Sequence, residues 1–304
     1  MNNPMIKTAI GICTYKRPEL LIKTVVSLSK IKVPEGLEIV IVIVDNDSSG
    51  SVSVILEELR KTVDFEIHYA IEPRQGIPYA RNKILDIVKD LHIDHLAFID
   101  DDEKADYMWF YNLWSNYILW GCDVVVGFVV TEYPDNTPKW IKESGIYQRK
   151  QNSHGLVLYT GASGNVLLNL KKLSIDWGLR FDESFGLRGG SDSDFFIRAY
   201  NRGAVIKWVA DAVVYEPLES NRMKLSYFLK RLFRSHNKKT KMDIKTRIKV
   251  IIYGIKLSSI GLFTLPIRMV FGLKRAVFSL RDIFIGWAYI LRGLNITIKW
   301  EEYK

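Results

Sequence analysis

The feature that most constrains this chain is the alternation in its first hundred residues, where short apolar runs end in polar clusters and lead into helix-like stretches. Residues 6–13 run into Thr14-Tyr15-Lys16-Arg17-Pro18, with helix-like residues 19–30 behind them. Residues 37–44 run into Asp45-Asn46-Asp47-Ser48-Ser49-Gly50, and a helix is expected over 52–61. Residues 65–71 form a third strand candidate, and 78–91 carry apolar residues at helical spacing behind Pro78. Residues 96–99 end in Asp100-Asp101-Asp102-Glu103. Such alternation builds βαβ units and a largely parallel sheet. Ligands of these sheets collect beyond the carboxyl ends of the strands, so the three polar clusters should share one edge.

Beyond residue 104 the pattern loosens. Strands are expected over 123–131, 156–160, 205–209 and 212–215, with a tight loop at Gly161-Ala162-Ser163-Gly164-Asn165. A Gly- and Asp-rich loop spans 181–193 and leads into a short helix over 194–201. The α/β domain is thus placed at residues 1–220. An apolar content of 48% excludes global disorder. Cys13 and Cys122, far apart and outside any CxxC, exclude a disulfide scaffold and favour a reducing compartment. The polar opening at residues 1–4 gives no expectation of a signal peptide.

Charge divides the chain. Residues 1–220 hold 24 Lys+Arg against 30 Asp+Glu, whereas residues 221–304 hold 19 against 4. A basic apolar tail on an acidic body points the tail at an anionic surface. Its longest uncharged run, residues 257–267, has eleven residues against the roughly 20 that span a bilayer, so no ordinary transmembrane helix is expected. On a helical wheel Arg268, Lys274, Arg275, Arg281 and Arg292 fall on one side, with Phe271, Phe278, Phe284, Trp287 and Tyr289 supplying aromatic bulk. This predicts an interfacial helix on anionic lipid, the alternative being a helix packed on the α/β domain. The acidic body and the lack of any recognised module speak against nucleic acid.

Several constellations carry chemistry. Three adjacent carboxylates at Asp100-Asp101-Asp102 repel one another unless solvated or neutralised, and hard oxygen ligands suit Mg²⁺ or Mn²⁺. The segment from Asp45 opens like an EF-hand calcium loop but has Leu56 at position twelve, so that reading fails. Asp47-x-Ser49-x-Ser51 spells the metal-adhesion pattern of integrin-like domains, which keeps a divalent-cation-dependent adhesion module as a non-enzymatic alternative. Gly189-Gly190-Ser191-Asp192-Ser193-Asp194 puts two carboxylates in a loop entering a helix, where one can serve as general base and the other as a cap. No GxxxxGK, GxGxxG or GxSxG occurs, and the five histidines show no ligand spacing.

Taken in order, Thr14-Tyr15-Lys16-Arg17, Asp45-Asn46-Asp47-Ser48, Gly76 with Ala80-Arg81-Asn82, Asp100-x-Asp102, Phe181-Asp182-Glu183 and Gly190-Ser191-Asp192-Ser193-Asp194 resemble the motifs of the family 2 glycosyltransferases over about residues 5–220. The resemblance implies the GT-A fold, a Rossmann-like nucleotide-binding sheet with mixed strands, here followed by a basic helical appendage at 221–304. It implies an inverting transferase acting on a nucleotide-sugar donor, UDP-linked by expectation, and on a glycan or polyprenyl-linked acceptor. It sets Thr14, Tyr15, Arg17, Asp45, Asp47, Arg81, Asp100 and Asp101 on the donor, and Asp102 on a divalent cation. Asp192 becomes the base, with Gly164, Asn165 and Asp194 in the loops that meet the acceptor. The Glu of the family's Glu-Asp pair is replaced by Ser191, which leaves the base in place. A glycosyltransferase-like protein that has lost activity is the second alternative. Localisation at the inner face of the cell membrane follows as an expectation.

Overall fold

A computed structural model describes residues 5–187, 189–237 and 242–298. Residues 1–4, where no leader is expected, lie outside them. The predicted alternation is present as β1 (Ile6–Thr14), α1 (Pro18–Leu28), β2 (Leu37–Asp45), α2 (Leu56–Thr62), β3 (Glu66–Ile71), α3 (Ile77–Asp90) and β4 (His95–Ile99). Then follow β5 (Lys104–Ala105), α4 (Trp109–Trp120), β6 (Val124–Glu132), α5 (Lys139–Ser144), β7 (Val157–Leu158), β8 (Asn165–Asn169), α6 (Ser191–Asn201) and β9 (Ile206–Pro217). Three helices close the order: α7 (Leu225–His236), α8 (Ile244–Val270) and α9 (Leu273–Gly293).

The strands form one sheet in the order β3-β2-β1-β4-β8-β6-β9-β5, with β7 on β9. β3, β2, β1 and β4 are parallel, and β8 turns the sheet antiparallel against β4. Strand β2 shows how the layers arise. Ile39, Ile41 and Ile43 face a core shared with Leu21, Val25, Leu59 and Trp109, while Val40, Val42 and Val44 face one shared with Ile84, Val88 and Phe195. Side chains alternate along a strand, so a run buried on both faces must be apolar throughout. Helices α1, α2 and α4 therefore cover one face, and α3 and α6 the other.

Three differences from the sequence reading matter for the site. Residues 165–169 form β8, not the end of a loop. β9 is one continuous strand rather than two, the exposed Asp211 having marked a false break. Helix α6 begins at Ser191, so Asp192 lies in its first turn and not in a loop.

The chain divides into two units, residues 1–131 with 149–217 and residues 132–148 with 218–304. α5 thus falls in the same unit as the tail helices. In the second unit α5 and α7 pack on α9 through Trp140, Tyr147, Phe228, Leu229 and Val277. Phe278 and Phe284 are drawn into this cluster, and three of the predicted cations are paired: Lys274 with Glu143, and Arg281 and Arg268 with Asp282. The expected free basic face of α9 is thus largely spent on packing. Helix α8, at 27 residues, is long and apolar enough to cross a membrane, which corrects the expectation of none. The uncharged run missed it because Lys256 interrupts it, and a single lysine can lay its stem along apolar surface and keep its charge in water.

Candidate active site

Sheet register assembles the site. β1 and β2 pair with Thr14 opposite Asp45, so both residues end their strands at one level. β4 pairs with β8 through Ile99 and Asn165, which brings Gly164 against Asp100, the residue after β4. A Cβ on Gly164 would lie 2.7 Å from Asp100 Oδ2 and 3.0 Å from Glu103 Oε1. β5 pairs with β9 through Lys104 and Tyr215, which aligns Glu103 with the stretch containing Glu216. Arg149 pairs with Glu216. Glu103, Arg149 and Glu216 were not singled out from sequence.

The carboxylates differ in environment. Asp101 is buried and accepts a hydrogen bond from Thr14 Oγ1 at 2.8 Å, and its backbone carbonyl accepts another from Thr24 Oγ1 at 2.8 Å. Burial pushes the Asp101 carboxyl up to about 7, against the Thr14 bond, which lowers it. Asp102 faces Arg17, whose Nη1 donates to Oδ2 at 3.3 Å. Desolvation holds Asp100 above the ordinary carboxylate range; the Glu216 and Asp192 charges add to this, and the Arg81 and Arg149 charges oppose it. Glu103 is held well above its range by burial and then by Asp100, and its Oε2 accepts from the Asp100 amide at 3.1 Å. Excess negative charge in a desolvated cluster is what a divalent cation relieves, and hard oxygen donors suit Mg²⁺ or Mn²⁺. Asp100, Asp102 and Glu103 therefore fit such an ion in donor chemistry. Among the described residues no group of three or more such side chains that could hold a metal ion is gathered.

The 45–52 turn is tied from within. Asp45 is fully buried, and its carboxylate accepts from the amides of Asp47 and Val52 at 3.0 Å, and from the hydroxyls of Ser51 at 3.2 Å and Tyr69 at 3.3 Å. Burial, with the Asp45 charge, pushes the Tyr69 hydroxyl up to about 12. Asp47 accepts from Ser49 Oγ at 2.6 Å and from the Ser49 amide at 3.2 Å, which hold its carboxyl below the usual range. Ser49 and Ser51 are thus turn residues, and the adhesion pattern has no open hydroxyl pair. Asn46, which sequence reasoning passed over, clamps the next loop: its Nδ2 donates to the Glu72 and Arg74 carbonyls, and its Oδ1 accepts from the Gly76 amide. Gly76 takes φ +138 and touches Gly186, a backbone that favours glycine.

Tyr15, expected from the sequence to meet the donor, is 40% exposed, and its hydroxyl accepts from Gln75 Nε2 at 2.9 Å. Arg81, in the first turn of α3, is buried, stacks on Phe181 at 5.4 Å and has no ion-pair partner among the described residues. Asn82 beside it bonds the Phe181 amide and carbonyl, fixing the loop before α6. In that helix Asp194 accepts from Arg198 Nε at 2.8 Å, one turn on, while among the described residues Asp192 accepts only from the Ser193 amide at 2.9 Å, and Ser191 buries a hydroxyl with no partner among them. Asn165 does not face the site: its Oδ1 accepts from Trp109 Nε1, and its Nδ2 donates to the Phe128 and Ala212 carbonyls. An amide whose oxygen and nitrogen are both taken by helix α4 and the sheet acts as a strut between them.

The sequence profile of Glycosyl transferase family 2 matches residues 9–174. The succinoglycan biosynthesis protein ExoM of Rhizobium meliloti (strain 1021) is 35% identical over 235 residues, which covers 77% of this chain and 74% of ExoM. S. aureus TarS 1-349 in complex with UDP shares the fold at a TM-score of 0.56 and 15% identity, covering 94% of this chain and 91% of that one. This chain spans 41% of a longer S. aureus TarS chain. GalNAc-T7 with UDP, GalNAc and Mn²⁺ matches at a TM-score of 0.56 and 14% identity over 75% of this chain and 48% of that one. At these identities the solved structures speak to fold alone, and that fold is GT-A. Profile and curated relative carry the rest: the chain is a glycosyltransferase and belongs to Glycosyl transferase family 2.

Proposed function

We propose that the enzyme is a metal-dependent, inverting transferase that moves a sugar from a UDP-sugar to a hydroxyl of a glycan or polyprenyl-linked acceptor in surface-polysaccharide assembly, at the anionic inner face of the cell membrane. The observation that carries it is Asp192, a carboxylate without an ion pair among the described residues whose charge is felt at Asp100, while its neighbour Asp194 is held by Arg198. TarS complexes with UDP and UDP-GlcNAc, GalNAc-T7 with UDP and Mn²⁺, and the polysaccharide role in ExoM's name support the donor and acceptor classes.

In this reading Tyr15 and Arg81 hold the base and ribose. Thr14, Asp45 and Asp47 act through the loops they fix, and Arg17 orients Asp102. A divalent cation held by Asp102, with Asp100 and Glu103 beside it, supplies charge neutralisation for the diphosphate. The acceptor hydroxyl gives its proton to an Asp192 oxygen as its own oxygen bonds the anomeric carbon. The bond from that carbon to the diphosphate oxygen breaks, its electron pair leaves with UDP, and direct displacement inverts the centre. Thermal shift with UDP and Mn²⁺ on wild type and Asp102→Ala tests the donor half. Metal-dependent stabilisation should appear in wild type and vanish in the variant, and an unchanged shift removes Asp102 from the site.

A further inference from the structure

We infer that the outer face of α8 is the surface that seats this protein on anionic lipid, with α8 lying in the membrane plane rather than crossing it. The inference deepens the membrane reading above and moves the contact from α9 to α8. Ile248, Ile252, Ile255, Phe263, Ile267 and Val270 lie on one half of the helix and are exposed, Phe263 at 80% and Val270 at 82%. Soluble monomers rarely leave so continuous an apolar face in water. Lys245, Lys249 and Lys256 stand exposed on the same half with no ion pair among the described residues. They fit anionic headgroups, as does the tail's excess of 19 basic over 4 acidic residues.

The seam with α9 argues against crossing. A Cβ on Gly254 would lie 2.6 Å from the Gly286 carbonyl, and one on Gly261 2.7 Å from the Ser279 carbonyl, so the two backbones touch. Arg247 Nε also donates to the Gly293 carbonyl at 2.8 Å. Locked this closely, α9 would have to enter the bilayer with α8, carrying Lys274, Arg275, Arg281, Asp282 and Arg292. Charges at the bilayer centre are costly. An in-plane seat buries the apolar half of α8 and leaves those groups in water, with the stems of Lys245, Lys249 and Lys256 reaching up to the headgroups.

The full chain is floated with phosphatidylcholine vesicles, with and without phosphatidylglycerol, and its oligomeric state is measured by analytical ultracentrifugation. Wild type should float only with the anionic vesicles. Phe263→Ser with Ile267→Ser should lose more than about tenfold in partitioning, since each side chain buries apolar area. Lys245→Gln with Lys249→Gln and Lys256→Gln should lose about fivefold per lysine at low salt. Both variants should keep wild-type circular dichroism and Tm. If only Lys274→Gln with Arg275→Gln and Arg281→Gln releases the protein, the membrane reading stands and the α8 assignment falls. If wild type ignores vesicles but forms an oligomer that Phe263→Ser with Ile267→Ser dissolves, the face joins copies of this chain and both readings fall. Wild type that is monomeric and never floats overturns both as well.

Discussion

The hydroxyl of Thr14, at the end of β1, donates to the buried carboxylate of Asp101 at 2.8 Å across 87 residues of sequence. The bond ties the acidic turn after β4 to the end of the neighbouring strand β1. It also favours the ionised Asp101, while burial disfavours it and wins, leaving the group at about 7. A carboxyl raised in the folded state gives its full stability below its unfolded value and loses it as pH rises through about 7. Thr14→Val removes the bond that softens this loss. Urea unfolding should show a deficit of about 1.5–3 kcal/mol at about pH 8.5 and clearly less at about pH 5. An equal deficit at both pH values means that the bond serves the neutral acid.

Gly164→Ala should damage the cluster more than the fold. Its φ is not in the left-handed region, so alanine is backbone-compatible, but its methyl group would press on Asp100 Oδ2 and Glu103 Oε1. Both are side-chain ends that can swing away, so Tm should change little. Stabilisation by UDP with Mn²⁺ should fall by an order of magnitude, about 1.4 kcal/mol. A variant that binds as wild type would mean that Asp100 and Glu103 do not take part in metal binding.

Metal affinity should also depend on pH. Asp100 and Glu103 are both held above the ordinary carboxylate range by desolvation, and a cation needs them ionised. Acidification from neutral should therefore weaken Mn²⁺ binding well before ordinary carboxylates protonate, by up to about tenfold per pH unit for each group involved. Calorimetric titration of Mn²⁺ in the presence of UDP checks this. A flat profile from pH 7 to the ordinary carboxylate range, about 4, would show that neither group has to lose a proton.

What could be read from the sequence was local. The polar ends of β1, β2 and β4 were visible because each follows an apolar run, and a parallel sheet puts such ends on one edge. What escaped was set by pairing across the sheet. The Glu216 charge acts at Asp100 because Lys104 pairs with Tyr215 across the sheet, a relation with no local signature. Asn165 was read as the end of the 161–165 loop, but it opens β8 once β4 supplies a partner, and its side chain turns inward to Trp109. Asp45 was read as a ligand contact, but its burial and its four donor groups make it the tie of its turn. Residue type alone does not separate a carboxylate facing a ligand from one satisfied by its own loop.

The two carboxylates at the start of α6 separate most sharply by experiment. Asp194 is bound to Arg198 one turn on, whereas among the described residues Asp192 accepts only from the amide of Ser193. Asp192→Asn keeps size and polarity but cannot take the acceptor's proton, so kcat should drop by about 10²–10⁴-fold. Donor affinity should hold, because the residue is assigned to the acceptor. Asp194→Asn weakens only a half-buried i,i+4 pair within one helix, at a cost of about 0.3–0.5 kcal/mol, and should leave turnover near wild type. Transfer to a competent acceptor is measured for both variants beside UDP-sugar binding. Near-normal turnover in Asp192→Asn with loss in Asp194→Asn would assign the base to Asp194. Loss in neither would leave proton removal to a group outside α6.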